Sequence, residues 1–119
     1  VLNVIKEEKL QKNAYETGVY LLEGLKVLKN KYNIVGDVRG RGLFIGVELI
    51  KKYDGMIPAS IEADLIVNQM RQKGVLISSD GPDHNVLKIK PPLIFSKKNA
   101  DYLLDTFESV LSENKFKNY

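Results

Sequence analysis

The chain changes period along its length. Near both ends apolar residues recur every three to four positions, and in the middle they alternate one in two. Such a chain has to lay helices against a sheet. At the start, Leu10, Ala14, Leu21, Leu25, Leu28 and Tyr32 share one helical face, which predicts a long helix over residues 2–31. Gly18 and Gly24 interrupt it at about 1 kcal/mol each relative to alanine, and so mark points of close packing. Near the end, Ala100, Leu103, Leu104, Phe107, Val110 and Leu111 form a second face behind Ser96, a residue suited to capping a helix. "PASIEADLIVNQMRQKG" predicts a third helix, with Pro58 at its entrance, Ser60 as candidate N-cap and Gly74 as its stop. Only "NKFKNY" reads as a frayed end.

Between the helices, "LFIGVELI" places Leu43, Ile45, Val47 and Leu49 on one strand face and Phe44 on the other. "IVGDV" is a shorter β-prone run in which Gly36 reads as a bulge or bend. "VLISS" and "VLKIK" are strands joined by the turn "DGPDHN". In the second of them Val86 and Lys88 alternate with Leu87 and Ile89. Pro91 and Pro92 exclude a helix after it. The predicted order is α-β-β-α-β-β-α, an α/β (α+β) fold. An antiparallel or mixed sheet of three to four strands is covered on one face by helices, the longest of them N-terminal. At 119 residues the length is that of one domain, 1–119. Its opening, "VLNVIKEEKL", is already helical in pattern and has no initiating methionine, which reads as a piece of a longer polypeptide.

Composition removes several functions. With no cysteine there is no thiolate nucleophile, disulfide or cysteine metal site, and the single histidine, His84, rules out histidine clusters. His84 sits in a turn with Asp80 and Asp83, where turn-stabilising side chains are the ordinary expectation and no nucleophile accompanies them. Gly40 and Gly42 supply G-x-G, but a strand follows instead of the helix that a dinucleotide pyrophosphate needs, and no G-K-[ST] occurs. A net charge of +3 is spread among interleaved acids, and the positions where an RNA-binding strand carries stacking aromatics hold Leu43 and Ile45. Nucleic acid and membrane are therefore not expected partners. What remains is positive charge projecting from a sheet: Arg39 and Arg41 around the glycines, and Lys88 ahead of the prolines.

"GDVRGRGLFIGVEL", followed by "GVLISSDGPDHNVLKIKPPLIFS", resembles the C-terminal small domain of class III, fold-type I pyridoxal-phosphate enzymes, over nearly the whole chain. "SSDGP" and "NVLKIKPPLIFS" are most similar to the alanine–glyoxylate-aminotransferase-2-like branch, which includes ethanolamine-phosphate and 5-phosphohydroxylysine phospho-lyases. The resemblance implies a pyridoxal 5'-phosphate cofactor held by a large domain outside these residues, a small amino substrate, a homo-oligomer (dimer or tetramer) and a mitochondrial location. It implies no catalytic or cofactor-binding residue in this chain, which alone would be inactive. The substrate-binding candidates it supplies are Lys88, Arg41 and Ser79. Many aminotransferases of the class carry arginine at the position of Lys88 and grip a substrate carboxylate with its fork. Lysine is a compact point charge and makes no such fork. Arg39–Gly42 then becomes a structural lead into the sheet, its arginines tying the domain to the large one or lining the outer cleft. The implied function is β-elimination of phosphate from an amino substrate. Amino transfer to a keto acid is the alternative, and a free-standing α/β interaction module is the second alternative.

Overall fold

In the computed structural model, residues 4–41, 44–52, 55–91, 95–114, 116 and 119 are described, with side chains from residue 8 onward and that of residue 41 set aside. Helix α1 (Val4–Lys31) leads into β1 (Val35–Arg41) and β2 (Phe44–Lys51). A two-residue β3 (Ile57–Pro58) and α2 (Ser60–Gln72) come next, then β4 (Ser78–Asp80), β5 (Val86–Ile89) and α3 (Lys97–Glu113). The order matches the expectation apart from β3. That short strand pairs with Ile50 and Lys51 and uses Pro58 as strand instead of helix entrance.

All pairings are antiparallel, and the sheet runs β1-β2-β5-β4 with β3 on an extension of β2. β2 and β5 lie side by side although α2 and β4 separate them in sequence. Asn85 extends this central pairing by one step. Its buried amide donates to the Leu49 carbonyl at 2.9 Å, and its own carbonyl accepts from the Leu49 N–H at 2.8 Å.

One face of the sheet carries the core. Val38, Ile45, Val47, Leu49, Leu87 and Ile89 are at most 6% exposed and meet the apolar faces of the three helices. The other face is uncovered: Arg39, Phe44 and Lys88 are exposed. Gly36 makes a β-bulge, since Val35 pairs with Leu49 while Asp37 pairs with Glu48. Both Val35 and Val38 are thereby buried, although three positions apart in one strand.

Local chemistry explains the departures. Ser60 is the first residue of α2, not its cap: Ala59 occupies the cap position, and the Ser60 hydroxyl donates to the Asp83 carbonyl. β4 is shorter than "VLISS". The Val75 N–H turns back to the Met70 carbonyl at 2.9 Å while Gly74 adopts φ +86°, so strand pairing begins only at Ser78. Ser96 caps α3 as expected, accepting from the Asn99 N–H at 3.1 Å while the Asn99 side chain accepts from the Ser96 N–H at 3.0 Å. The C-terminal stretch is not frayed throughout: Phe116 is buried, and the Tyr119 hydroxyl donates to Glu62 at 2.6 Å.

Candidate functional site

The uncovered sheet face is striped by charge. Register places Arg39, Gly46, Lys88 and Ser78 directly opposite one another across four strands, so their side chains leave the same face. The next row is Asp37, Glu48, Val86 and Asp80. A cationic row thus lies beside an acidic one. Each cation reaches across: Lys88 Nζ is 2.7 Å from Asp80 Oδ2, Arg39 Nη2 is 3.4 Å from Glu48 Oε2, and Arg39 Nε is 3.5 Å from Asp37 Oδ2. These pairs are open to water, so they add little to stability. The hydrogen bond from Lys88, with a backbone bond from Gly81, holds the Asp80 carboxyl below its usual range.

Between the two cations the face is hollow. A cavity of about 370 Å³ is bounded by Arg39, Gly46, Phe44, Asp80, Val86 and Lys88. Beyond it, Lys90 Nζ lies 4.6 Å above the Phe44 ring, a cation–π contact.

Lys88 is therefore placed on an open face, next to an anion of its own chain. Ser79 is not brought to it: Ser79 pairs with Leu87, whose side chain is in the core, and leaves the opposite face. The backbone of Arg41 pairs with Phe44 at the end of β1, but its side chain lies outside the described residues, as do Gly42, Leu43 and Pro92. Arg39 and Gly40 are strand residues, not a turn. His84 is exposed, with φ +50°, and its N–H donates to the Gly81 carbonyl, which makes it a turn residue. Asp80, read from sequence as a turn residue, is the partner of Lys88.

Lys51 is 25% exposed and lies 3.8 Å from Glu62. No group of three metal-ligating side chains gathers among the described residues, and no helix there is long and apolar enough to cross a membrane. Apolar surface does stand open on α1, where Tyr15 is 66% and Val27 64% exposed.

Comparison with known proteins agrees with this geometry. The pattern described as aminotransferase class-III matches residues 1–111. The mitochondrial alanine–glyoxylate aminotransferase 2 homolog 2 of Arabidopsis thaliana is 49% identical over 113 residues, covering 95% of this chain and 24% of that protein. Ethanolamine-phosphate phospho-lyase homolog 1 of Caenorhabditis elegans is 35% identical, covering 94% and 24%. Among solved structures, a phospholyase from Arthrobacter in complex with phosphoethanolamine superposes with a TM-score of 0.86 at 39% identity, covering 93% of this chain and 26% of that one. The chain thus spans about a quarter of the length of the relatives it matches.

Proposed function

Because the chain belongs to the class III aminotransferase family, whose enzymes depend on pyridoxal 5'-phosphate, we propose that it is the small domain of a phospho-lyase that eliminates phosphate from an amino substrate such as phosphoethanolamine. Its work is to wall the substrate cleft, while a large domain elsewhere in the complete protein holds the cofactor. The observation that carries this reading is Lys88. The resemblance puts a carboxylate-gripping arginine at this position in many aminotransferases. Here a lysine projects from β5 onto an uncovered face beside a hollow. A point charge suits a compact anion better than a planar carboxylate fork does. Similarity to a phospholyase that holds phosphoethanolamine supports the same direction. Arg41, at the end of β1 and two strands away, is a second substrate-side candidate, and Ser79 would serve only through the other face.

Amino transfer to a keto acid is the second reading, supported by the 49% identity to an aminotransferase. That relative's name also supports a mitochondrial location. In either case the 119-residue chain alone is inactive and takes up no stoichiometric cofactor. One assay separates the two readings. The complete protein, supplied with phosphoethanolamine, releases inorganic phosphate, ammonia and an aldehyde if it is a lyase. Conversion of an amino donor and a keto acid without phosphate release would replace that reading with the aminotransferase.

A further inference from the structure

The open face holds more than one isolated lysine. Arg39 and Lys88 stand on either side of Gly46 in a single cross-strand row. Neighbouring strands are about 4.8 Å apart, so the two cations leave the sheet roughly 10 Å from each other. Their long side chains can converge over the glycine between them. Among the described residues, packing does not require glycine at that position. Its φ is not in the left-handed region, and a Cβ built there would meet only Val86 Cγ1, at an ordinary 3.4 Å. What a larger side chain would do is fill the floor of the hollow between the two cations.

We propose that Arg39, Gly46 and Lys88 form a two-cation seat for a phosphate dianion, and that Asp80 is the internal anion which the phosphate displaces from Lys88. The proposal rests on the phospho-lyase reading for the identity of the natural substrate. The seat itself can be examined with inorganic phosphate alone.

Both cations already touch carboxylates, Lys88 that of Asp80 and Arg39 those of Glu48 and Asp37. A monoanionic carboxylate arriving at Lys88 exchanges one carboxylate contact for another of the same kind. A phosphate group carries about −1.5 to −2 charges at neutral pH and three acceptor oxygens. It can bridge both cations at once, which no carboxylate of the acidic row does. Asp80 is then a specificity-determining residue. It acts by competition, raising the threshold that an anion must pass to reach Lys88.

The test is calorimetric titration of the complete, cofactor-loaded protein with inorganic phosphate and, separately, with acetate. Lys88→Met and Arg39→Met are each expected to weaken phosphate binding by about tenfold or more, the scale of one lost hydrogen bond to a charged group. Gly46→Val is expected to weaken it similarly without removing any charge, and Gly46→Ala to a smaller degree. Asp80→Asn is expected to tighten acetate more than phosphate, narrowing the preference between them. Phosphate affinity unchanged in either Lys88→Met or Arg39→Met overturns the seat. An unchanged phosphate-to-acetate preference in Asp80→Asn overturns the competition. These results stand apart from the lyase assay. A protein that releases phosphate from phosphoethanolamine yet binds inorganic phosphate equally in all variants refutes the seat and leaves the reaction intact. One that binds phosphate at the seat and releases none refutes the reaction alone.

Discussion

Gly24 on α1 and Leu104 on α3 approach so closely that a Cβ on the glycine would stand 2.4 Å from Leu104 Cδ1 and 3.0 Å from Cδ2. Alanine in place of glycine ordinarily stabilises a helix interior by about 1 kcal/mol. Overpacking works against it by about 1–3 kcal/mol. Gly24→Ala is therefore expected to lower stability by about 1 kcal/mol in urea unfolding. In a Leu104→Ala background the same change should stabilise. A stabilising Gly24→Ala in the unaltered chain would mean that the two helices have room to spare.

The first turn of α3 depends on a reciprocal pair of hydrogen bonds between Ser96 and Asn99. Ser96→Ala is expected to destabilise by about 1 kcal/mol. Asn99→Ala should remove the other half of the same box. The double variant should fall short of the sum, because either change already opens the pair. Strict additivity in thermal melts would show two independent contacts.

Asn85 is 5% exposed and closes the β2–β5 ladder through the Leu49 carbonyl. Removing the amide takes one of two donors from the Leu49 carbonyl, which keeps the Ala59 N–H at 3.0 Å, so the loss is about 1 kcal/mol. Asn85→Ala should therefore melt earlier. It should also speed amide exchange at Leu49, whose N–H bonds to the Asn85 carbonyl. Unaltered exchange at Leu49 would place the end of the ladder elsewhere.

Carboxyl titration by NMR should find Asp80 ionising below the ordinary carboxylate range, because Lys88 donates to it. Lys88→Met should raise it back. The sign for folding follows. A carboxyl whose folded-state value is depressed adds stability above its unfolded value and loses it as pH falls through the lowered folded value. The Asp80 contribution should thus be present at neutral pH and disappear on acidification. Asp80→Asn should flatten that part of the acid limb. An Asp80 titration that ignores Lys88→Met would break the assigned pairing.

Legibility from sequence followed the range of the interactions. The three helices could be read because residues such as Ala100, Leu103, Phe107 and Val110 repeat the helical period within a few positions. The Ser96 cap and the Gly36 irregularity were equally local. The family resemblance offers Ser79 and Lys88 together as substrate-side residues. Which way each faces depends on the β4–β5 register, where Ser79 opposes the inward Leu87. The partnership of Lys88 with Asp80 across that turn, and its alignment with Arg39 through Gly46, were hidden for the same reason. Strands β2 and β5 become neighbours only after α2 has crossed over, and no local pattern encodes their alignment. β3 was missed because two residues are too few to show alternation.

The bulge at Gly36 makes the length of β1 a matter of parity. Val35 and Val38 both point inward only because one surplus residue sits between them and lets the strand change sides once. Removing that surplus residue would leave the two valines two positions apart, the spacing at which an unbulged strand already faces both inward. A second residue added beside it would instead turn Arg39 and its neighbours over toward the core or put Val35 in water. Lengthening the strand by one here is consequently a graver injury than shortening it by one, because only the addition reverses a whole edge.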